Sequence, residues 1–309
     1  MCVLYTIYRG DRGAMIVCCV WFLWFTWPWA EACGFRESVQ RRRMSAIDSR
    51  HAAGIDLLVR DLGALAYAES LALQRDLQRQ VIEARTGSCA GGVGHLLLVE
   101  HVPPVITISR RKEARQHVVA TEQQLRDAGV EVAQTDRGGD VTYHGPGQLV
   151  VYPILDLNVL GLRLHGYMRF LERIVIDTLA GFGVEAHRDS SATGVWVQRK
   201  PQNAETPTLQ DTAEGVSPQG VPPRQGAKIC AMGVRVSRWV SMHGLALNVT
   251  TNLDHFNLIV PCGLAGRRVT SLQHKLGDRC PAMSLVKRVI VEQFSHGIAQ
   301  LAASSSGRS

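Results

Sequence analysis

The chain has 309 residues, 46% of them hydrophobic and 20% charged, with a net charge of +7 and a pI of about 9.1. That length holds one large domain or two small ones, and the composition is ordinary for a soluble globular enzyme. The eight cysteines (Cys2, Cys18, Cys19, Cys33, Cys89, Cys230, Cys262 and Cys280) are scattered without a CxxC pair or Cys/His ligand spacing, which argues against a zinc site or a disulfide framework and for a reducing compartment.

The first sixty residues stand apart. Arg9 and Arg12 precede an apolar stretch from Ala14 to Ala30 that carries four tryptophans and Pro28. It reads as a signal-peptide core ending at Ala30-Glu31-Ala32, as a short membrane anchor before Arg41-Arg42-Arg43, or as translated leader upstream of a true start at Met44. It is short for a spanning helix, which needs about twenty apolar residues. Residues Met44 to Arg60 are polar, include Gly54, and are expected to form a loose N-terminal arm. The main domain is expected from residue 61 to 303, with 304–309 as an unstructured tail.

Apolar residues at three- and four-residue spacing (Leu62, Leu65, Ala66, Leu73, Leu77, Val81) predict an amphipathic helix from Leu62 to Ala84. A glycine-rich loop follows from Thr86 to Gly94. His95–Glu100 and Val105–Ser109 read as strands flanking Pro103-Pro104. Thr121 is placed to cap a short helix that Gly129 stops, and Val130–Gln134 reads as the next strand. Then comes the most distinctive run, DRGGDVTYHGPGQLVVYPILDL, from Asp136 to Leu157. Two glycine turns, Gly138-Gly139 and Gly145-Pro146-Gly147, flank a β-branched strand, Val141 to His144. Leu149 to Leu155 is apolar enough to be a buried central strand. The arrangement suits either a slot for a ligand or a plain glycine-rich hairpin.

Gly166 to Phe182 predicts a second amphipathic helix, with Phe170, Leu171 and Ile174 inward and Arg169, Glu172 and Arg173 outward. Gly194–Val197 reads as a strand. The stretch from Arg199 to Gln225 is rich in Pro, Gln, Thr and Gly and is expected to be a flexible insertion. Strands resume at Ile229–Val236 and Leu245–Val249, and Ser284–Leu301 forms a last helix. Within GAKICAMGVRV, Lys228 offers an amine. Cys230, two residues on, shares its face if the strand is regular. Within VPCGLAGRRVTSL, Cys262 offers a thiol in a Pro-Cys-Gly turn. On composition alone a lone cysteine reads as a buried small hydrophobe. A neighbouring ammonium would instead make Cys262 a nucleophile by favouring its thiolate.

Four ordered motifs, RGGDVTYHGPGQLVVYPILDL, KICAMGVRV, SMHGLALNV and PCGLAG, together resemble the lipoyl(octanoyl) transferases over about Leu62 to Leu301. The resemblance implies an α+β fold shared with biotin- and lipoate-protein ligase catalytic domains, a mixed sheet with flanking helices. It implies transfer of an octanoyl group from acyl carrier protein to a lysine of a lipoyl domain, as in 2-oxoacid dehydrogenases and the glycine cleavage H protein. Carried over motif by motif, Cys262 becomes the acyl-thioester nucleophile and Lys228 the residue that lowers its pKa. Cys230 is then a core or pocket-lining thiol. Arg137, Gly138, Gly139, Asp140, Val141, Thr142, Tyr143 and His144 are expected to line the acyl pocket. Ala231, Met232 and Gly233, with Gly244, Leu245 and Ala246, are expected to contact substrate. His144 reads equally as a base and as a loop-shaping residue, whereas His243 reads as the latter. The same resemblance favours Met44 as the start, because both protein substrates are cytoplasmic.

A thioester is already activated, so the resemblance implies neither ATP nor any other cofactor, and no GxxxxGK[ST] loop occurs. The same fold also serves ATP-dependent lipoate- and biotin-protein ligases, which need no cysteine, and a non-catalytic carrier-binding module is a third reading. Basic clusters at Arg110, Arg111, Lys112 and Arg115, and at Arg267, Arg268 and Lys275, lack interleaved aromatics or a nucleic-acid motif. They read as solvated faces or as docking for an acidic protein.

Overall fold

The computed structural model describes residues 45–52, 55–85, 92–198, 226–260 and 267–306. The leader before residue 45, the insertion from 199 to 225 and the PCGLAG segment with Cys262 lie outside the described residues. Eleven strands form two sheets among those described. The large sheet has the order β1 (Ser45–Ala52), β2 (Ile55–Leu65), β3 (Gly92–His101), β7 (Gln148–Ile154), β11 (Val240–Asn248), β10 (Gly226–Ser237), β9 (Val195–Gln198) and β8 (Ala186–Arg188). Only β2 and β3 run parallel in it. The small sheet has β5 (Glu131–Gln134), β4 (Val105–Ile108) and β6 (Val141–His144).

Strand alternation divides the core. In β3, Leu96 and Leu98 face one way while Leu97 and Val99 face the other, and β7 does the same with Leu149 and Val151 against Val150, Tyr152 and Ile154. The first face packs on α3 (Leu164–Ala180), the short α4 (Leu272–Leu276) and α5 (Met283–Ser306) through Leu171, Ile174, Leu272, Val286, Ile290 and Phe294. The second packs on α1 (Tyr67–Ala84) through Leu77 and Val81. A third cluster, with Ile106, Val141, Tyr143 and Ile259, is the core of the small sheet. Tyr67, Leu71, Val105 and Met242 join α1 and β4 to β11. The result is an α+β fold, a mixed sheet between helices. Among the described residues no helix is long and apolar enough to cross a membrane.

Several local expectations stand as read. Strand β6 has the bounds expected, and α2 (Glu122–Asp127) begins at Thr121 with a full capping box: Thr121 Oγ1 accepts from Gln124 N–H and Gln124 Oε1 from Thr121 N–H. Others need correction. No arm spans residues 44–60: β1 and β2 occupy most of it, and the helix starts at Tyr67 rather than Leu62. Leu57 and Val59 alternate into the core, and pairing with β3 carries the strand on to Leu65. The apolar spacing of Leu62 and Leu65 that mimics a helix belongs to a bulge. There the register shifts between Asp61 and Ala64, and Gly63 sits at φ +59° with its N–H on Asp61 Oδ1. The glycine-rich loop ends early, because β3 already begins at Gly92. Glu172 faces in, not out: it is buried and accepts from Arg169 and Arg188 at 2.7 and 3.0 Å.

Candidate active site

A cavity of about 420 Å³ lies where the start of α1, the small sheet and strands β7, β10 and β11 meet, within the size range of small-molecule pockets. Its interior is lined by buried residues, Tyr67, Val141, His144, Val150, Tyr152, Leu245 and Ala246 among them. Its rim is wet, with Arg111, Gly139, Ser191 and Thr193 exposed. Of the residues singled out in the Asp136–His144 run, Arg137, Gly139, Asp140, Val141, Thr142 and His144 line the cavity. So do Ala231, Met232, Gly233, Gly244, Leu245 and Ala246. Two do not. Gly138 gives its N–H to Val234 O at 2.9 Å and so docks the loop on β10. Tyr143 points into the core of the small sheet and bonds His255 Nδ1 at 2.8 Å. The loop can approach β10 this closely because Gly233 has no side chain; a Cβ there would stand 2.7 Å from Gly138 O.

Lys228 reaches the cavity through an irregularity. Strand β10 pairs Lys228 with Trp196 and Cys230 with Val195, so one extra residue sits between them. The bulge breaks the alternation. Ile229 and Cys230 are both fully buried in the core, while Lys228 joins the cavity wall. The expectation that Cys230 shares the lysine's face is thereby corrected. Burial pushes the Cys230 thiol up to about 12, with the ammonium of Lys228 only partly opposing, so this thiol stays protonated. Lys228 Nζ donates to Thr193 O at 2.9 Å and lies 4.8 Å from the Trp196 ring. Arg267 stacks on the same ring at 3.8 Å and pairs with Asp189. Burial draws the Lys228 ammonium down to about 8; the Asp189 carboxylate opposes this, and Arg267 adds to it.

The backbone of Lys228 fixes a second segment. Its N–H donates to Arg268 O and its carbonyl accepts from Thr270 N–H, both at 2.9 Å, with Val269 bridged alongside. Residues 261–266, among them Cys262, lie outside the described residues. On their other side Val260 N–H donates to His117 O at 2.7 Å.

Two polar groups hold the cavity wall. His144 meets Gln148 Oε1 through Nδ1 at 2.7 Å; Gln148 donates to Asn248 Oδ1, and Asn248 donates to Thr270 O. This chain runs from the cavity to the strand beside Lys228. Burial, with His101 and Arg137 adding, takes His144 well below the usual imidazole range, so it is neutral and gives its Nδ1 proton to Gln148. Asp136 is the second hub. It accepts from His243 Nε2 at 2.8 Å and Arg235 at 2.6 Å, with Arg75 at 3.8 Å. Burial alone would raise its carboxyl, but the His243 hydrogen bond and the charges of His243, Arg235 and Arg75 hold it below the usual range. His243 is itself buried at φ +59°, its N–H on Gln74 Oε1 at 3.0 Å. Its side chain bonds a carboxylate rather than the backbone, and it also lines the cavity.

Sequence reasoning missed Tyr67, Arg111, Val150, Tyr152, Ser191, Ala192, Thr193, Phe256 and Val269 in the wall. Val150 and Tyr152 carried a usable signal: they alternate with Leu149 and Val151, so the face opposite the α3 and α5 side was theirs. Thr193 carried none, because its part is played by a backbone carbonyl. Among the described residues no cluster of His, Cys, Asp or Glu is placed to hold a metal ion.

Comparison with known proteins gives this geometry a setting. Residues 66–295 match the model of the lipoyl protein ligase A/B catalytic domain. An octanoyltransferase of Acidobacterium capsulatum is 43% identical over 233 residues, 73% of this chain and 82% of its own. One of Rubrobacter xylanophilus is 42% identical over 253 residues, covering 82% and 94%. In fold, the chain is similar to a bi-partite lipoate protein ligase of Thermoplasma acidophilum, with a TM-score of 0.52 at 15% identity over 85% of this chain and 93% of that one. It is similar also to lipoate-protein ligase A bound with ATP, with a TM-score of 0.50 at 15% identity over 82% and 94%.

Proposed function

The chain belongs to the lipoyl protein ligase A/B catalytic-domain family, among its octanoyltransferases, and is an acyltransferase; from that premise we propose that it moves an octanoyl group through a thioester on Cys262 to a lysine of a lipoyl domain. The donor is octanoyl-acyl carrier protein, the acceptors are the lipoyl domains of 2-oxoacid dehydrogenases and the glycine cleavage H protein, and the reaction is cytoplasmic. In the first step the Cys262 thiolate attacks the donor's thioester carbonyl. The carbon–sulfur bond to the donor breaks, and the departing thiolate takes a proton from Lys228. In the second step the acceptor's amine attacks the acyl-enzyme, gives a proton to Lys228, and expels the Cys262 thiolate as the amide forms. Backbone amides near the site hold the oxyanion. The buried cavity floor, with Val150, Leu245 and Ala246, takes the acyl chain.

One observation supports the reading most. The bulge turns Lys228 into the cavity while its backbone binds Arg268 O and Thr270 N–H, in the segment that directly follows PCGLAG in the sequence. An amine drawn down to about 8 comes close to the ordinary free-thiol value of about 8.5, so proton exchange with a cysteine costs little. The test is intact-mass analysis after mixing with octanoyl-acyl carrier protein. An octanoyl adduct on Cys262, absent in Cys262→Ser and formed without ATP, is expected. An adduct that needs ATP, or none on Cys262 under turnover, overturns the covalent mechanism.

A further inference from the structure

Among the described residues, Asp140 is the sole carboxylate in the wall of the cavity, where it stands with the cations Arg111, Arg137 and Lys228. Asp140 is only 5% exposed, and its two oxygens differ. Oδ2 lies 2.5 Å from His117 Nδ1, close but poorly aligned for a hydrogen bond. Oδ1 is buried and has no hydrogen-bond partner. Arg137 does not supply one: its guanidinium donates to Gly138 O, to Thr107 O and Oγ1, and to the backbone oxygen of Asp140. A buried carboxylate oxygen without a donor costs stability, so its presence in a ligand cavity asks for a reason. Position supplies one. His117 O accepts Val260 N–H at 2.7 Å, and Val118 bridges Ile259. Lys228 holds Arg268 O and Thr270 N–H. The carboxylate and the ammonium thus adjoin the two described ends of the stretch that contains Cys262.

We propose that Asp140 Oδ1 binds the ammonium of the acceptor lysine and aims its nitrogen at the acyl-enzyme. The inference rests on the octanoyl-transfer reading above. A lysine has an ordinary value of about 10.4 and arrives from neutral water as a cation. Bringing that cation unpaired to a wall that already holds Arg111, Arg137 and Lys228 is costly, through both desolvation and repulsion. Asp140 offers the one anion there, with an oxygen that no protein donor has taken. Its part is to bind and to aim. It forms no covalent bond, and the proton of the attacking amine still goes to Lys228. The thioester of the first step is uncharged and makes no such demand, so the carboxylate matters by the charge of the nucleophile.

The test loads the full chain with octanoyl-acyl carrier protein, removes the donor, and follows decay of the Cys262 adduct by intact mass at pH 7. Two nucleophiles are compared: an unmodified lipoyl domain, whose lysine is a cation, and hydroxylamine, which is uncharged. Asp140→Asn keeps the shape of the side chain and removes its charge. Its second-order rate constant with the lipoyl domain should fall about 10- to 100-fold more than that with hydroxylamine. His117→Ala leaves Oδ1 untouched and should keep the wild-type ratio of the two constants. Equal losses with both nucleophiles in Asp140→Asn, or the same selective loss in His117→Ala, would make Asp140 a prop for His117 and overturn the inference. A second measurement needs no variant. Against the wild type, a lipoyl domain with its lysine dimethylated, still a cation with an N–H, should inhibit about tenfold better than one with its lysine acetylated; equal inhibition overturns the inference too. Failure of the wild type to form any thioester on Cys262 is a different result: it removes the octanoyl-transfer reading itself, and lysine binding by Asp140 with it.

Discussion

Lys228 has an ordinary value of 10.5 and is drawn down to about 8 in the cavity wall, first by burial. Its charge therefore costs stability, and the cost has a pH signature. Because the folded pKa lies below the unfolded one, the unfolded chain binds more protons between about pH 8 and 10.5. The deficit is fully present below pH 8 and disappears as pH rises toward 10.5. At about 1.4 kcal/mol per unit it is at most about 3 kcal/mol, and solvent and the Thr193 carbonyl reduce it to about 1–2 kcal/mol. In a Cys262→Ser background, which removes the thiolate, Lys228→Met should therefore be more stable by about that amount in urea at pH 7. The difference should shrink at pH 9.5; a variant less stable than its parent at pH 7 would contradict a half-buried, partly desolvated ammonium. With Cys262 intact, Lys228→Ala should move the midpoint of iodoacetamide alkylation up toward the free thiol value of about 8.5. Superimposable titrations of wild type and variant would separate Lys228 from Cys262.

The elements that set this lysine are small and depend on contacts distant in sequence. Gly194 opens β9 at φ +123°, and a Cβ there would stand 2.6 Å from Cys230 O and 3.3 Å from Lys228 Cε. Gly194→Ala should then cost about 1–3 kcal/mol and displace the amine. Transfer should fall further than a lower melting temperature explains, and a variant with native turnover would show that the bulge tolerates movement. The same contrast explains what the sequence could tell. The Thr121 cap and the strand Val141–His144 are written in adjacent residues, so their chemistry is legible without the fold. The bulge at Ile229 is set by pairing with β9 across the insertion, so regular alternation put Cys230 and Lys228 on one face. Glu172 reads as surface until Arg188, sixteen positions on, is folded against it. Strands β1 and β2 were hidden for the same reason: Leu57 and Val59 alternate too briefly, and only β3 shows that they are sheet. Among the described residues the cavity is lined from three of the four motifs, Tyr143 and Gly138 excepted, because each is a continuous run of backbone.

At the scale of the molecule, the large sheet is closed on both faces by helices, and the cavity sits at the one seam where the small sheet replaces helical cover. That seam is tied by Tyr67, Leu71, Val105 and Met242, and by Asp136, which gathers Arg75 of α1, Arg235 of β10 and His243 of β11. Among the described residues, everything that forms it lies at or after Tyr67. The buried hydrophobic residues described run from Leu57 to Ile298, the family match runs from 66 to 295, and β1 begins at Ser45. A chain beginning at Met44 thus keeps both sheets, all the helices described and every cavity residue. It should unfold in one cooperative transition and transfer octanoyl groups with kcat/KM within about twofold of the full chain. Cooperative unfolding is the sensitive readout, since β1 is the edge strand and pairs only with β2. A fragment that loses its transition, or keeps it but loses transfer, would show that residues 1–43 complete the enzyme. Recovery of the intact protein in membranes through Ala14 to Ala30 would show instead that they anchor it.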